Sequence, residues 1–344
     1  MMSPDSPNRR HKIIGQWLIS AALAVLMMVV LVYPATANVK SYEISTSPDV
    51  NPPLVGPAYD LGGGGPDVDS AIQWTINQVR GCTSCATEVD VVVIRSSGDD
   101  GYNEPIYNMK GVNSVETLIL TAPEDANRPD VVEAVKNAEV LFFAGGNQCD
   151  YIQNFKGTGL ETAVESVVAK GGGIGGTSAG AMIQGNFVYN ACNGSVSSSE
   201  ALANPYNNKI SFTYDFFKWS NLEPVIVDTH FDTSHRMGRL LTFVARQIED
   251  GKAKSTLGLG IEEGMSVILD KKGLARVRGD GAAYVVLGDH RPEECRAGIP
   301  LTFSDYKVWT LKNGDTFDLK NQPTTGFDRV SVEDGQIEPR RYNL

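Results

Sequence analysis

The chain has 344 residues, of which 42% are hydrophobic and 21% are charged. This composition is typical of a globular protein with a sizeable core, and it excludes a collagen-like or largely disordered chain. The formal net charge of −11 disfavours nucleic acid and anionic membrane surfaces as partners, because like charges repel.

A secretory signal is predicted at the N-terminus. Three basic residues precede an apolar run at residues 17–32, and Ala35-Thr36-Ala37 fits the small-residue site that a signal peptidase cleaves. We therefore expect residues 1–37 to be removed on export to the periplasm or the medium. The alternative is that the apolar run stays as an uncleaved anchor, which would be the only membrane contact. The remaining chain would hold 27 basic and 40 acidic residues.

The start of the remaining chain is rich in proline, serine and asparagine, and a run of glycines follows it. Residues 38–54 are predicted to form an extended lead-in. The four glycines at residues 62–65 could cradle a phosphate, but they lack the lysine and hydroxyl residue of a P-loop. A flexible turn, or room for a substrate backbone, is the preferred interpretation. A helix at residues 70–79 follows, with Asp67 or Asp69 as its cap.

Short apolar runs alternate with helical stretches in the middle of the chain. Continuous apolar runs are typical of buried parallel strands, and apolar residues spaced by three or four are typical of helices. The order of these elements predicts a mostly parallel α/β sheet with helices on both faces. The predicted strands are residues 89–95, 115–121, 140–144, 171–176 and 224–227, and the predicted helices are residues 129–137, 159–170, 179–184 and 236–249.

The pattern changes from residue 265 onward. Three short β runs at residues 266–270, 274–278 and 282–287 are separated by Lys-Lys-Gly and Gly-Asp-Gly turns. They predict an antiparallel β meander. Residues 291–344 have a weaker pattern and are interpreted as a C-terminal extension.

The strongest chemical motif is Gly176-Thr177-Ser178-Ala179-Gly180, a G-x-S-x-G sequence between a short strand and a helix. This context is that of a nucleophile elbow, in which Ser178 would be exposed and the Ala179 N–H would be one oxyanion donor. A second glycine turn contains Gly146 and Gln148. The Gly146 N–H could be the other donor, and Gln148 could hold a substrate carboxylate or amide. The alternative is that this turn only connects a strand to a helix.

A serine nucleophile needs a base and an orienting acid. His230 follows the predicted strand at residues 224–227, at the kind of strand end where ligands bind in open parallel sheets. Glu262 and Glu263 end another apolar run, and alternation along a strand lets only one of them point at the site. We expect all three loops at the same rim of one parallel sheet. The order Ser, His, Glu differs from that of the α/β-hydrolases.

Five cysteines are compatible with disulfides in an exported protein, and their odd number leaves at least one thiol free or paired between chains. Cys82 and Cys85 precede a strand, which favours a local disulfide in a turn over a redox motif. No second ligand pair for zinc is visible. Cys149 and Cys192 are a plausible second pair because both flank the predicted site.

Four segments, residues 142–148, 175–181, 228–231 and 258–263, together resemble the cyanophycinases, relatives of the aspartyl dipeptidases. The resemblance covers residues 55–290. It implies a flavodoxin-like fold of the class I glutamine-amidotransferase type, with serine in place of the usual cysteine. It also implies hydrolysis of peptide bonds next to aspartyl residues without a metal or other cofactor. Cyanophycinases release β-Asp-Arg dipeptides from a polyaspartate that bears arginine side groups.

The resemblance implies a role for individual residues. Ser178 would be the nucleophile, His230 the base and Glu263 the third member of the triad. Gln148 and Asp228 match substrate-contacting positions. The implied partner is a peptide or isopeptide substrate, and a homodimer stays open.

The chain departs from the family pattern at two positions. Thr229 stands where cyanophycinases usually have glutamine, and Ser234 stands where an arginine is expected. Arg236 and Arg239 match the family and could bind substrate carboxylates, or could be solvated charges at the start of a helix. Two alternatives to the peptidase follow: a binding protein that has lost turnover, and an esterase on small acyl substrates.

Overall fold

Strands and helices alternate along residues 39–45 and 47–342, which are the residues that the structure, a computed structural model, describes. The predicted signal segment lies outside them. The strands are β1 (Lys40–Ser45), β2 (Ala58–Gly62), β3 (Val89–Arg95), β4 (Val112–Ile119), β5 (Val140–Phe143), β6 (Gly173–Thr177), β7 (Phe187–Tyr189), β8 (Phe212–Tyr214), β9 (Val225–Asp228), β10 (Thr256–Ile261), β11 (Met265–Leu269), β12 (Leu274–Gly279), β13 (Ala283–Gly288), β14 (Phe303–Leu311), β15 (Thr316–Asp318), β16 (Asp328–Glu333) and β17 (Gln336–Glu338).

Nine α-helices lie between these strands in the described part of the chain, and a short 3-10 helix at Arg340–Tyr342 follows the last strand. The helices are α1 (Asp69–Arg80), α2 (Asn103–Tyr107), α3 (Pro123–Ala126), α4 (Pro129–Asn137), α5 (Gln148–Phe155), α6 (Gly159–Ala169), α7 (Ala179–Met182), α8 (Ser198–Ala203) and α9 (Met237–Glu249).

The first sheet has the order β1-β4-β3-β5-β6-β2-β11-β12-β15, and its five strands from β4 to β2 run parallel. Strand β3 shows why these strands are apolar throughout. Val91 and Val93 pack into the cluster that includes residues of α1, whereas Val92 and Ile94 pack into the cluster that includes residues of α4 and α6. Both faces are therefore covered by helices, which confirms the predicted α/β fold class.

The second sheet has the order β17-β16-β14-β13-β10-β9-β7-β8, and only the pairs β7-β9 and β9-β10 are parallel. Helix α9 packs Leu240, Phe243 and Val244 into the core on one face of this sheet. The main core lies between the two sheets and contains, for example, Val267 of the first and Val285 of the second. Both sheets thus belong to one packed structure.

The C-terminal strands are antiparallel, as predicted, but they do not form one meander. Strands β11 and β12 pair in the first sheet, whereas β13 pairs with β10 and β14 in the second sheet. Gly279 has φ +114°, a backbone conformation that favours glycine, and the chain changes sheets at the Gly-Asp-Gly turn. A turn motif alone does not reveal whether the next strand stays in the same sheet.

The segments on either side of the predicted domain also contribute strands. Strand β1, within the predicted lead-in, pairs antiparallel with β4. Strands β14 and β16, beyond residue 290, extend the second sheet.

Helix α1 begins at Asp69 without a side-chain cap, and its N-cap residue is Val68, so the predicted aspartate cap was wrong. Among residues 39–45 and 47–342, no helix is long and apolar enough to cross a membrane.

The structure pairs four of the five cysteines. Cys82 bonds to Cys85, and Cys149 bonds to Cys192, as the sequence had suggested. Cys295 is a buried free thiol, and burial raises its pKa to about 12. This thiol is therefore protonated and unreactive at neutral pH.

Strand β2 carries a buried carboxyl group close to the Ser178 loop. Asp60 is 3% exposed and accepts a hydrogen bond from the Ser266 hydroxyl. Burial raises the pKa of Asp60 from 3.8 to about 7, with a smaller upward contribution from Asp67. The folded state therefore holds a proton at Asp60 that the unfolded chain releases near pH 4.

We predict that replacing Asp60 changes the pH dependence of stability. Because the folded pKa is raised, the stabilisation from this group is complete below about pH 4 and is lost as the pH rises through about 7. Asp60→Asn should remove this loss, which amounts to roughly 2–4 kcal/mol of the free energy of unfolding above pH 7. Urea unfolding at pH 5 and pH 8 measures the effect, with exposed Asp100→Asn as the charge-matched control. An equal effect of Asp60→Asn at both pH values would contradict the prediction.

Candidate active site

Ser178 lies in a sharp turn between β6 and α7. Its backbone has φ 54° and ψ −123°, a conformation that non-glycine residues rarely adopt. The flanking glycines are required by close packing. A Cβ on Gly176 would lie 2.6 Å from the Gly180 carbonyl, and a Cβ on Gly180 would overlap the backbone of Phe143. The turn therefore has the geometry of a nucleophile elbow and presents the Ser178 hydroxyl to a cleft.

The Ser178 hydroxyl is hydrogen-bonded to an imidazole, which is in turn hydrogen-bonded to a carboxylate. Ser178 Oγ lies 2.7 Å from His230 Nε2, and His230 Nδ1 lies 2.6 Å from Glu263 Oε1. A carboxylate can only accept, so His230 Nδ1 carries the proton and Nε2 accepts from the hydroxyl. This arrangement can take the hydroxyl proton as the oxygen attacks an electrophilic carbon.

Two further contacts orient the carboxylate. The Thr233 hydroxyl donates to Glu263 Oε1 at 2.9 Å, and the Glu263 N–H donates to the Asp232 carboxylate at 3.1 Å. The hydrogen bond from His230, followed by that from Thr233, lowers the pKa of Glu263. Glu262 points elsewhere and accepts from the Ala282 N–H and the Tyr284 hydroxyl. No motif in the sequence indicated the contribution of Thr233.

The three side chains come from two sheets, not from one rim as predicted. Ser178 follows β6 of the first sheet, whereas His230 and Glu263 follow β9 and β10 of the second. The parallel pairing of β9 with β10 places the last two side chains beside each other. Strands and helices alternate along the chain in the same way whether they form one sheet or two. The sequence pattern therefore could not distinguish the two arrangements.

The glycine run after β2 connects the loops that carry Ser178, His230 and Glu263. The carbonyl of Gly62 accepts the Ser178 N–H at 3.0 Å, and that of Gly63 accepts the His230 N–H at 2.7 Å. The carbonyl of Gly64 accepts the N–H of Gly264, the residue after Glu263, at 2.9 Å. Three successive carbonyls therefore hold the loops of the hydroxyl, the imidazole and the carboxylate.

Side chains would not fit in this run. A Cβ on Gly64 would overlap the His230 imidazole, and a Cβ on Gly65 would lie 3.0 Å from Glu263 Cβ. Gly64 and Gly65 also have φ +93° and +68°. The glycines do more than form a turn: glycine is needed at these positions because the backbone packs directly against the side chains of His230 and Glu263.

The cleft in front of Ser178 has a volume of about 410 Å³. Two of the segments that line it are a first wall at the start of α5, with Gly146 and Gln148, and a second wall in the loop after β7, with Ala191 and Ser195. The Tyr151 hydroxyl donates to the Ala144 carbonyl at 2.7 Å and fixes the turn that carries Gly146. The structure thus brings Gly146 and Gln148 to the same cleft as Ser178, and Ala179 follows Ser178 directly.

The predicted substrate contact through Asp228 was wrong. The Asp228 carboxylate is fully buried and does not line the cleft. It binds Arg239 at 2.7 Å and lies 3.6 Å from Arg236, because a buried charge needs an opposite charge beside it. Arg239 lines the cleft but is 2% exposed, and its guanidinium also donates to the Ser195 hydroxyl. Asp228 and Arg239 therefore form a support behind the cleft.

Arg236 and Thr229 each carry a polar side-chain atom that has no hydrogen-bond partner among the described residues. Arg236 Nη1 donates to the Thr229 carbonyl at 2.6 Å. Within the described part of the chain, Arg236 Nε and Thr229 Oγ1 are buried and have no hydrogen-bond partner. Both residues line the cleft, whereas Ser234 lines a different cavity beside α8. The described residues contain no cluster of three or more histidine, cysteine or acidic residues that could hold a metal ion.

We predict that Gly64→Ala blocks the reactivity of Ser178. The added methyl group would displace the His230 imidazole. Labelling of Ser178 by a fluorophosphonate, a serine-directed reagent, should slow by about 100-fold or more. Gly314→Ala is the matched control, because Gly314 has φ +90° and a Cβ there would meet nothing within 4 Å. Equal labelling rates for the two variants would show that the imidazole tolerates the methyl group.

Comparison with known proteins identifies related peptidases. Residues 95–277 match peptidase family S51. The chain is 27% identical to a cyanophycinase of Nostoc sp. over 221 residues, which are 62% of this chain and 68% of that protein. It is 26% identical to a cyanophycinase of Geminocystis herdmanii over 229 residues, which are 64% of this chain and 78% of that protein.

The fold also has a counterpart among solved structures. The crystal structure of a peptidase from an acI-B1 actinobacterium superposes with a TM-score of 0.52 at 17% identity. The match covers 78% of this chain and 99% of that one. At this identity the likeness concerns the fold alone. The family match, however, spans the segment from the end of β3 to β12, including Ser178, His230 and Glu263, and the chain therefore belongs to peptidase family S51, as a serine-type peptidase similar to the cyanophycinases.

Proposed function

We propose that this peptidase is exported and hydrolyses an aspartyl-type peptide or isopeptide bond, with Ser178 as nucleophile, His230 as base and Glu263 as orienting acid. The observation that carries the proposal is the pair of short contacts from Ser178 Oγ to His230 Nε2 and from His230 Nδ1 to Glu263 Oε1. These contacts are those of a catalytic triad.

The reaction would proceed through an acyl-enzyme. His230 Nε2 takes the Ser178 proton as Oγ attacks the carbonyl carbon, and the N–H groups of Gly146 and Ala179 hold the oxyanion. Glu263 stabilises the imidazolium, which then gives its proton to the leaving amine. A water molecule, activated by the same imidazole, releases the acyl group and restores Ser178.

The charge in the cleft favours a substrate that carries a carboxylate. No acidic side chain is among the described residues that line the cleft, whereas Arg236 and Arg239 both line it. Arg239 is neutralised by Asp228. Arg236 keeps an unpaired Nε, and burial lowers its pKa, so an anionic group would compensate its charge. We propose that the guanidinium of Arg236, whose side chain is 17% exposed, binds that carboxylate.

The same observations bear on the two alternatives. The triad contacts are present despite Thr229 and Ser234, which favours turnover over a binding protein. The cleft lining is mostly polar, which disfavours an esterase for apolar acyl groups. Ser234 stands where the family pattern predicts an arginine, and it lines the other cavity. Cyanophycin is therefore proposed as one candidate substrate among aspartyl peptides.

Export is proposed from two features. The predicted signal at residues 1–37 would direct secretion. The disulfides Cys82–Cys85 and Cys149–Cys192 are compatible with an oxidising compartment.

We predict that Ser178→Ala abolishes hydrolysis and leaves the fold unchanged. Wild type and variant are incubated with cyanophycin and with α- and β-aspartyl dipeptides, and the free amines released are measured. We expect release by the wild type from at least one of these substrates, and a rate at least about 1,000-fold lower for the variant. If the two proteins act equally on every substrate, the proposal fails.

We predict that Glu263→Gln lowers kcat by about 100- to 10,000-fold, because an amide favours the wrong imidazole tautomer and cannot stabilise the imidazolium. Glu262→Gln is the matched control, since Glu262 binds Ala282 and Tyr284 instead of the imidazole. The kcat of Glu262→Gln should stay within about threefold of wild type. Similar losses in both variants would argue against Glu263 as the third member of the triad.

A further inference from the structure

We infer that the Cys149–Cys192 disulfide is a positioning element of the active-site cleft and sets the distance between its two walls; the inference rests on the proposed function of Ser178. Cys149 directly follows Gln148, and Cys192 directly follows Ala191. Gln148 and Ala191 both line the cleft, one in each wall. The bridge therefore joins the two walls where they meet, with the Cα atoms of its cysteines 5.0 Å apart.

The first wall is fixed to the first sheet. Asn147 caps helix α5 by accepting the Cys149 N–H at 3.0 Å. Tyr151 and Phe155 of the same helix are fully buried in the main core, and the Tyr151 hydroxyl binds the backbone at the end of β5. Cys149 is thus held by a helix with little freedom to move.

The second wall is fixed to the second sheet. Asn190 accepts the Cys192 N–H at 3.1 Å, and the Tyr189 hydroxyl donates to the Gly194 carbonyl at 3.1 Å. Ser195 accepts from Arg239 at 3.2 Å. These contacts tie the loop after β7 to β7 itself and to α9. Each wall is therefore held by its own sheet, and the disulfide joins the two.

This arrangement separates substrate positioning from nucleophile activation. The contacts among Ser178, His230 and Glu263 pass through neither cysteine. Loss of the bridge should therefore leave the hydroxyl reactive towards a small reagent. A peptide must contact both walls at once, and displacement of one wall by about 1 Å is enough to slow its reaction strongly.

A dithiol can break the bridge without any other reagent. It supplies two electrons and two protons, the S–S bond between Cys149 and Cys192 breaks, two thiols form, and the dithiol is oxidised to a cyclic disulfide. Cys149→Ser with Cys192→Ser removes the bridge permanently. The matched control is Cys82→Ser with Cys85→Ser, which removes the other disulfide; neither these cysteines nor their chain neighbours line the cleft.

The test compares two serine-directed probes on the protein isolated with its disulfides formed: a small alkyl fluorophosphonate and a peptidyl phosphonate with an aspartyl residue next to the phosphorus. For Cys149→Ser/Cys192→Ser we expect the labelling rate with the peptidyl probe to fall about tenfold, and that with the small probe to change less than twofold. The control variant should match the wild type with both probes. Circular dichroism checks that each protein is folded.

Rescue by a short cross-link separates positioning from simple loss of a covalent bond. In the Cys82→Ser/Cys85→Ser background, reduced Cys149 and Cys192 are joined by a bis-methanethiosulfonate, which should restore the peptidyl-probe rate. A monofunctional methanethiosulfonate should not restore it.

Three outcomes would overturn the inference. One is an unchanged peptidyl-probe rate without the bridge. Another is an equal loss with both probes together with loss of the circular dichroism signal, since the bridge would then support the fold and not the cleft. If the wild type itself is not labelled at Ser178 by either probe, the proposed function fails as well.

Discussion

Three successive backbone carbonyls, those of Gly62, Gly63 and Gly64, are the contacts on which the active site depends. They accept N–H groups from Ser178, from His230 and from the residue after Glu263. Ser178 belongs to the first sheet, whereas the imidazole and the carboxylate belong to the second. A hydroxyl, an imidazole and a carboxylate must meet within about 0.5 Å of productive geometry, and a shared backbone segment provides that precision better than flexible side chains.

The three carbonyl contacts also explain why glycine is needed in the run at residues 62–65. The carbonyls can reach all three loops only if the backbone packs against the His230 ring and the Glu263 side chain. A Cβ at Gly64 or Gly65 would occupy that space, and both residues have positive φ. Glycine at positions 64 and 65 is thus a consequence of close packing against His230 and Glu263, and a Cβ on Gly63 would overlap the Glu262 carbonyl. The same constraint acts at Gly176 and Gly180, which let the chain turn around Ser178.

The sequence predicted the local features better than the assembly. The apolar run at residues 89–95 and the helix at residues 129–137 match β3 and α4, because periodicity depends only on which faces are buried. The division into two sheets was not predictable, since it depends on which strand edges pair. For the same reason the turn after β12 was interpreted as a hairpin, although the chain crosses there to the other sheet.

The site shows the same contrast between motif and context. Ser178 and His230 could be named from their positions at strand ends, because those positions are local in the sequence, whereas Glu263 was distinguished from Glu262 only by the resemblance to the cyanophycinases. The roles of Asp228 and Arg239 could not, because a charged side chain that binds a substrate and one that binds a buried partner give the same sequence pattern. Thr233, which is hydrogen-bonded to Glu263, carries no motif at all.

A crystal structure of the protein after reaction with an aryl phosphonate would test the assembled site most directly. We expect phosphorus bonded to Ser178 Oγ, with one phosphoryl oxygen facing the N–H groups of Gly146 and Ala179. His230 should keep its contact with Glu263, and the Gly62–Gly64 carbonyls should keep theirs. An unreacted Ser178 with the His230 imidazole turned away from it, or a phosphonyl group on another residue, would contradict the proposed triad.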